Sequence, residues 1–299
     1  MTVLISKDTK LLCQGITGRA ATFHMGRAIA YGTKLVAGVR PGKGGISHLD
    51  VPVFDRVGDA VAATGADASI IFVPPANAAK AMIEAIEAKL PLVVCVTERV
   101  PVLDMVGVKA ALKGSKTRLI GPNSQGIFAP GICKIGVMST VNEKPGTVGI
   151  VSRSASLTSE IVAQTSAVGL GQSITIGIVG DPVHGIGFVD CLKLLIADAD
   201  TKSIILVGEI GGTEEEEAAE YLQDAKPAKP VLALIAGRHA PVRRRMGHAG
   251  TLSLFGSGGA AEKIKALKSA GVHIAENAAK VGETMQGIVS ANNKAKDSA

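Results

Sequence analysis

Arg243-Arg244-Arg245-Met246-Gly247-His248-Ala249-Gly250 sets a histidine in a loop of small residues directly after three arginines. Gly247 and Gly250 leave the backbone open to turns that other residues resist. A neutral imidazole is a nucleophile able to carry a covalent intermediate. Either His248 is offered to a phosphoryl donor and then to an acceptor, or the segment is a basic surface loop that happens to hold a histidine. Glu209, in Glu209-Ile210-Gly211-Gly212-Thr213, is of the type that accepts a hydrogen bond from an imidazole and orients it. The acids at 214–217 read as a solvated first turn matched to a helix dipole. Ser152-Arg153-Ser154-Ala155-Ser156 brings hydroxyls that cap a helix or bind an anion at its start. Asp181 and His184 read as turn and loop residues or as site residues.

The first half carries a second kind of chemistry. Gln14-Gly15-Ile16-Thr17-Gly18-Arg19-Ala20 has glycines that let backbone approach a ligand, and N–H groups at a following helix start can hold a phosphate. It lacks the full GxGxxG fingerprint, and no acid at the end of the second strand awaits a ribose. The segment there is Val39-Arg40-Pro41-Gly42-Lys43-Gly44-Gly45, whose Arg40 and Lys43 suit an extra phosphate. A nicotinamide dehydrogenase is disfavoured on both counts. For either loop alone, a plain tight turn is an equal reading.

The elements that must position these residues follow from periodicity. Residues 11–14, 34–39, 69–73, 92–96 and 118–120 read as strands, and 20–31, 57–63, 77–88 and 103–112 as helices. Residues 121–146, rich in glycine and proline, break the pattern. It restarts with strands at 147–151, 172–179, 203–207 and 231–236 and helices at 156–167, 188–197, 214–223, 260–270 and 278–290. Repeated βα units imply doubly wound parallel sheets. The expected organisation is a domain over 1–121, a linker over 122–146 and a second domain over 147–299, with 292–299 frayed. Nearly all the candidate motifs fall where strands end at their carboxyl edges, which is where open α/β sheets bind ligands.

Bulk properties agree. Of 299 residues, 46% are hydrophobic and 3% aromatic, with no Trp and 36 Gly, as in an aliphatic α/β protein with strands buried on both faces. The net charge of +6 admits an anionic ligand. Scarce aromatics and the absence of a recognition module argue against nucleic acid. Cys13, Cys95, Cys133 and Cys191 form no CxxC, and buried thiols in a reducing compartment are expected rather than disulfides or a metal site. No signal peptide or membrane span is read, so a cytoplasmic protein is expected.

With six motifs in order, the chain resembles the α subunit of the succinate–CoA ligase (succinyl-CoA synthetase) family from Leu4 to about Val289. They are Gln14-Gly15-Ile16-Thr17-Gly18, Pro41-Gly42-Lys43-Gly44-Gly45, Gly121-Pro122-Asn123, Gly149-Ile150-Val151-Ser152-Arg153-Ser154, Gly208-Glu209-Ile210-Gly211-Gly212 and Arg245-Met246-Gly247-His248-Ala249-Gly250. The resemblance implies an α/β chain with a CoA-binding Rossmann-like domain followed by a flavodoxin-like ligase domain. It implies that His248 is phosphorylated and that Glu209 holds the phosphohistidine. The helix starts near Ser154 and Thr213 then stabilise the phosphate. Thr17, Gly18, Arg19, Ala20, Lys43, Val96, Thr97 and Glu98 fall at its CoA-contacting positions, and no metal ligands are implied in this chain. An ATP-grasp β subunit is implied to bind ATP or GTP with Mg2+, giving an αβ or α2β2 assembly that works on a small carboxylate. A non-catalytic CoA-binding regulator is the reading from a different class, and the intact His248 loop disfavours it.

This sequence departs from the family around the acid. Ser124-Gln125 replaces Cys-Pro, Ala155 and Ser159 replace Gly and Tyr, and His184 replaces Pro. Asn123, Ser124, Ser154 and Ser159 are the substrate candidates. The expectation is succinate, with malate or a bulkier dicarboxylate as the alternative.

Overall fold

The computed structural model describes residues 4–178, 180–240, 248, 251 and 258–297. The chain divides into two compact units, Leu4–Met138 with Val183–Ile186, and Ser139–Pro182 with Gly187–Ala299.

The first unit runs β1 (Lys10–Gln14), α1 (Arg19–Tyr31), β2 (Lys34–Val39), β3 (Ser47–His48), β4 (Val51–Phe54), α2 (Val57–Thr64), β5 (Ala68–Ile71), α3 (Pro75–Glu87), β6 (Leu92–Cys95), α4 (Val102–Leu112), β7 (Arg118–Ile120), β8 (Gly126–Ala129) and β9 (Cys133–Gly136). Its seven-stranded sheet has the order β3-β4-β2-β1-β5-β6-β7. The strands are parallel except β3, which pairs antiparallel with β4. Counting only the parallel strands, this is the order 3-2-1-4-5-6 of a dinucleotide-binding sheet. The central strands β5 and β6 are buried at every residue, as helices on both faces require. Helix α1 buries Ala21, Met25 and Ala28, one stripe at helical spacing, and ends at Gly32 with φ 104°, where a side chain would be strained. Register places Gln14 beside both Val39 and Ile71, and Ile71 beside Cys95. The loops after β1, β2, β5 and β6 therefore leave the sheet at one edge.

The second unit runs β10 (Pro145–Ser152), α5 (Ala155–Ala167), β11 (Gln172–Gly177), α6 (Phe188–Ala197), β12 (Ser203–Glu209), α7 (Glu214–Ala225), β13 (Val231–Ala236), α8 (Ala260–Ser269), β14 (His273–Ile274), a 3-10 turn (Ala278–Lys280) and α9 (Val281–Asp297). Its strands are ordered β14-β13-β12-β10-β11 and all pair in parallel. Within the unit that order is 2-1-3-4-5, the flavodoxin-like winding. Both winding orders thus agree with the fold that the motifs imply.

The differences are local. Residues 122–146, expected as a linker, hold the antiparallel pair β8–β9, and the chain division falls after Met138. The glycines that looked like breakers permit that pair: a Cβ on Gly126 would collide with the Ile135 carbonyl across the ladder. Residues 183–186 return to the first unit, where the Gly185 amide donates to Gly121 O at 2.9 Å. The tail expected to fray from 292 continues α9 to Asp297, because α9 packs along α5 and tertiary contact outweighs a polar composition. Strand 172–179 stops at Gly177, and Val179 lies outside the described residues. All four cysteines are buried thiols outside any disulfide, and burial pushes Cys95 and Cys133 up to about 11. Among the described residues no helix is long and apolar enough to cross a membrane.

Candidate functional site

Strand order reverses about β1 in the first unit, between β2 on one side and β5 on the other. A crevice opens at such a switch point because the two adjoining connections leave toward opposite faces. Here it is a cleft of about 620 Å³ lined by Gln14, Gly15 and Gly18 after β1, Arg40 and Pro41 after β2, and Phe72–Pro74 after β5. Gly15 takes φ 80° at the turn, a conformation strained for other residues. Gly18 occupies the N-cap of α1 and no side chain caps that helix start. The first-turn amides of Arg19 and Ala20 lack intrahelical acceptors, which suits an incoming phosphate.

The two sequence-flagged loops meet there. Arg40 Nη1 donates to Thr17 Oγ1 at 2.7 Å. The Lys43 loop is held in shape by Asp55, whose Oδ1 accepts from the amides of Lys43 at 3.0 Å and Gly44 at 2.9 Å. Those bonds, led by the Gly44 amide, hold the Asp55 carboxyl below its ordinary value. Val96, Thr97 and Glu98 lie at the end of the next strand, β6. Thr97 Oγ1 donates to Val73 O at 2.7 Å, and the Val96 amide donates to Ile71 O at 3.3 Å. None of these three lines the cleft itself.

Asn123 and Ser124 also belong to this unit. Their amides donate to Thr97 O at 2.9 Å and Cys95 O at 3.2 Å. The Ser124 hydroxyl accepts from the Gly126 amide at 2.8 Å, and both Ser124 and Gln125 are buried. Ser124 thereby helps close the turn into β8. His184 is half-buried in the same unit, and its carbonyl accepts from Lys109 Nζ at 3.1 Å.

In the second unit the order reverses about β10, between β11 and β12. Ser152 ends β10 and Glu209 ends β12, so the β10–α5 loop and the Glu209 loop leave side by side. His248 Nδ1 lies 2.8 Å from Glu209 Oε2 and 2.9 Å from Oε1. A carboxylate only accepts, so Nδ1 carries the proton, and in the neutral imidazole Nε2 keeps the lone pair. The hydrogen bond that His248 donates to Glu209 is the main cause holding the imidazole pKa above its ordinary value. Burial and Arg153 oppose it, and the charges of Glu209 and Asp181 assist. The His248 side chain is 39% exposed, so a reactant can reach it. Gly180 backs the ring so closely that a Cβ there would stand 2.8 Å from His248 Cβ and 2.5 Å from Glu209 Oε1.

Two helices begin beside this pair. Ser154 caps α5 by accepting from the Leu157 amide at 3.3 Å. Thr213 stands at the N-cap of α7 without a side-chain cap bond. Ser159 is exposed on the second turn of α5, its hydroxyl donating back to Ala155 O at 3.4 Å. Arg243, Arg244, Arg245, Met246, Gly247, Ala249 and Gly250 lie outside the described residues. Among the described residues no group of His, Cys, Asp and Glu is arranged to hold a metal ion.

Sequence reasoning missed the layer beneath Glu209. Glu215, read as part of a solvated turn, is fully buried, as is Lys263 of α8. Arg153 Nη1 donates to Glu215 Oε1 at 3.0 Å, and Lys263 Nζ donates to Glu215 Oε2 at 2.5 Å. The signal was present: Glu215 shares the stripe of Ala218, Ala219 and Leu222, and Lys263 that of Ala260 and Leu267, all buried.

Known proteins resemble this chain in sequence and in fold. The family model described as CoA binding domain matches residues 6–99, and that described as CoA-ligase matches residues 151–284. The ADP-forming succinate–CoA ligase subunit alpha of Staphylococcus aureus strain Mu50 is 50% identical over 285 residues, covering 95% of this chain and 94% of its own length. Its counterpart in Staphylococcus epidermidis strain ATCC 12228 is 48% identical over the same share. Among solved structures, ATP citrate lyase from Methanothrix soehngenii in complex with citrate and coenzyme A superposes with a TM-score of 0.85 at 22% identity. That match covers 95% of this chain and 51% of the lyase chain, so this chain spans about half the lyase's length and shares its fold.

Proposed function

Since the chain belongs to the succinate–CoA ligase alpha-subunit family, we propose that it carries the phosphoryl group in nucleotide-dependent ligation of a carboxylate, most often succinate, to CoA. Neutral His248 attacks the γ-phosphorus of ATP or GTP through Nε2, and the nucleoside diphosphate leaves. A carboxylate oxygen of the acid then attacks the phosphohistidine phosphorus, and the imidazole leaves with its lone pair restored. The CoA thiolate attacks the resulting acyl phosphate at carbon and expels inorganic phosphate, giving the thioester. Two in-line transfers through His248 replace one hard displacement.

The observation that carries this reading is Glu209 on Nδ1 at 2.8 Å, which leaves Nε2 as the nucleophile beside two helix starts. Ser154 and Thr213 begin those helices, whose amides and dipoles stabilise the phosphoryl charge as it arrives and leaves. Thr17, Gly18, Arg19, Ala20 and Lys43 hold the phosphates of CoA in the first-unit cleft. Val96, Thr97 and Glu98 form its next rim. Asn123, Ser124, Ser154 and Ser159 attend the acid. The nucleotide and its Mg2+, which neutralises the charge on the transferred phosphoryl, sit mainly on an ATP-grasp β subunit. The working assembly is αβ or α2β2 in the cytoplasm.

A second reading keeps the chemistry and changes the acid. The exposed Ser159, in place of the family's tyrosine, leaves room beside the start of α5 for malate or a bulkier dicarboxylate. The test is CoA-thioester formation by the co-purified complex, supplied with nucleotide, CoA and a panel of carboxylates. Thioester formed by the native complex and lost in His248→Asn supports the ligase. CoA binding without any thioester on any acid returns the chain to the regulator reading.

A further inference from the structure

Glu209 does not stand alone beneath His248. Its amide donates to Glu215 Oε1 at 3.0 Å, and the same oxygen accepts from Arg153 Nη1 at 3.0 Å. The other Glu215 oxygen accepts from Lys263 at 2.5 Å. Lys263 spends its three N–H donors on Glu215, on Glu216 at 2.8 Å and on the carbonyl of Gly212 at 2.9 Å. That last bond fixes the Gly211–Gly212 turn, where both residues take positive φ, directly before α7. The Glu215 side chain runs tight against the strand, since a Cβ on Gly208 would stand 2.6 Å from its Cγ. Arg153 bridges back to the site: its Nε lies 3.6 Å from Glu209 Oε1 and has no hydrogen-bond partner among the described residues.

Stability does not explain this arrangement. Burying charges costs several kcal/mol per ion, and apolar residues of equal volume hold a core as well or better. Arg153, Glu215 and Lys263 have side chains at most 5% exposed. What the chain does uniquely is connect the Glu209 backbone, the Glu209 carboxylate and the turn that opens α7. All three must keep their places while a phosphoryl group arrives and leaves.

We propose that Arg153, Glu215 and Lys263 form a buried positioning chain for phosphoryl transfer, holding Glu209 on His248 Nδ1 and pinning the Gly211–Gly212 turn at the start of α7. The inference rests on the phosphohistidine reading and adds to it residues that never touch the reactants. The arms of the chain have separable consequences. Without Glu215, Arg153 turns fully onto Glu209 and competes with His248 for its carboxylate. Without Arg153, Glu209 is left to His248 alone.

The test uses the full chain in three forms: native, Glu215→Gln with Lys263→Met, and Arg153→Gln. Phosphoramidate serves as a phosphoryl donor that needs no partner subunit, and acid-labile phosphate on His248 is read over time. 15N-histidine NMR follows the His248 titration, which Glu209, Arg153 and Asp181 govern from the ends of three neighbouring strands. The double variant exchanges a buried pair for neutral groups of similar size, so its thermal midpoint should stay within a few degrees of native. Its phosphohistidine formation should fall about 10- to 100-fold, by analogy with outer-layer ligands and small misplacements elsewhere. Its His248 pKa should move down and its CoA affinity should not change. Arg153→Gln, in which Glu215 keeps Lys263, should move the His248 pKa up and also slow phosphorylation. A folded double variant with native phosphorylation and native titration overturns the proposal. If the double variant does not fold, unaltered kinetics and titration in Arg153→Gln do the same. A native chain that forms no phosphohistidine sinks the function reading instead, and the NMR shifts still judge the positioning chain.

Discussion

Gly180→Ala isolates the geometry of the histidine site with one methyl group. Gly180 does not sit at positive φ, so alanine brings no backbone strain. The added Cβ would lie 2.5 Å from Glu209 Oε1, 2.8 Å from His248 Cβ and 2.9 Å from Cγ. Ordinary contact begins near 3.4 Å, so ring and carboxylate must retreat by roughly half to one ångström in a close-packed setting. The 2.8 Å bond between Nδ1 and Oε2 then stretches or tilts. Misplacement of that size costs up to about 100-fold in rate, or about 2.7 kcal/mol in the barrier. The assay is single-turnover phosphohistidine formation from γ-labelled nucleotide in the complex, with calorimetric CoA affinity as the control. A loss of about 10- to 100-fold with unchanged CoA binding is expected. Native rates in a folded Gly180→Ala protein would refute the claim that the Glu209–His248 geometry limits the transfer.

Arg40→Ala and Lys43→Ala should each weaken CoA binding about 5-fold and flatten the preference for CoA over dephospho-CoA, since both suit an extra phosphate; calorimetry with the two ligands reads this, and equal losses for both would reassign the pair. The raised His248 pKa means that the neutral nucleophile accumulates only as pH climbs above the ordinary histidine value of about 6.5. Phosphorylation should therefore rise through that window, and Glu209→Gln should move the inflection to lower pH. The same shift gives stability that is full below the unfolded pKa and is lost as pH rises through the folded one; denaturant titrations of native protein and His248→Asn across that range should converge on the alkaline side. Ser159→Tyr should raise kcat/KM for succinate over malate by about 10-fold or more, as pocket-filling changes do, and a ratio that does not move would detach Ser159 from acid choice.

Much of the fold was legible because βα alternation writes itself in period and punctuation. The buried run Leu92–Cys95 and the stripe Ala21, Met25, Ala28 each admit one reading. The two-residue strands β3 and β14 were invisible, since pairing partners far along the chain define them and no local pattern does. The glycines at 126 and 136 were read as breaks where they allow two strands to touch. At the site, Glu209 and His248 stood out by type and loop context, and the structure brings them into hydrogen-bond contact. Glu215 hid inside a run of four acids, because charge was weighed before helical phase. Its place one turn ahead of Ala218 and Ala219 marks it as inward-facing. The turn role of Ser124 was likewise not legible, since the Gly126 amide that its hydroxyl accepts from is placed there by the β8 turn.

The central claim is that His248 Nε2 carries the phosphoryl group. The co-purified complex is incubated with γ-32P-labelled ATP or GTP, and the label on this chain is tested for acid lability and located by peptide mapping. The account predicts acid-labile, alkali-stable label on the His248 peptide, chased off by carboxylate plus CoA and lost in His248→Asn. Equal labelling of His248→Asn, or label that survives acid, would contradict it.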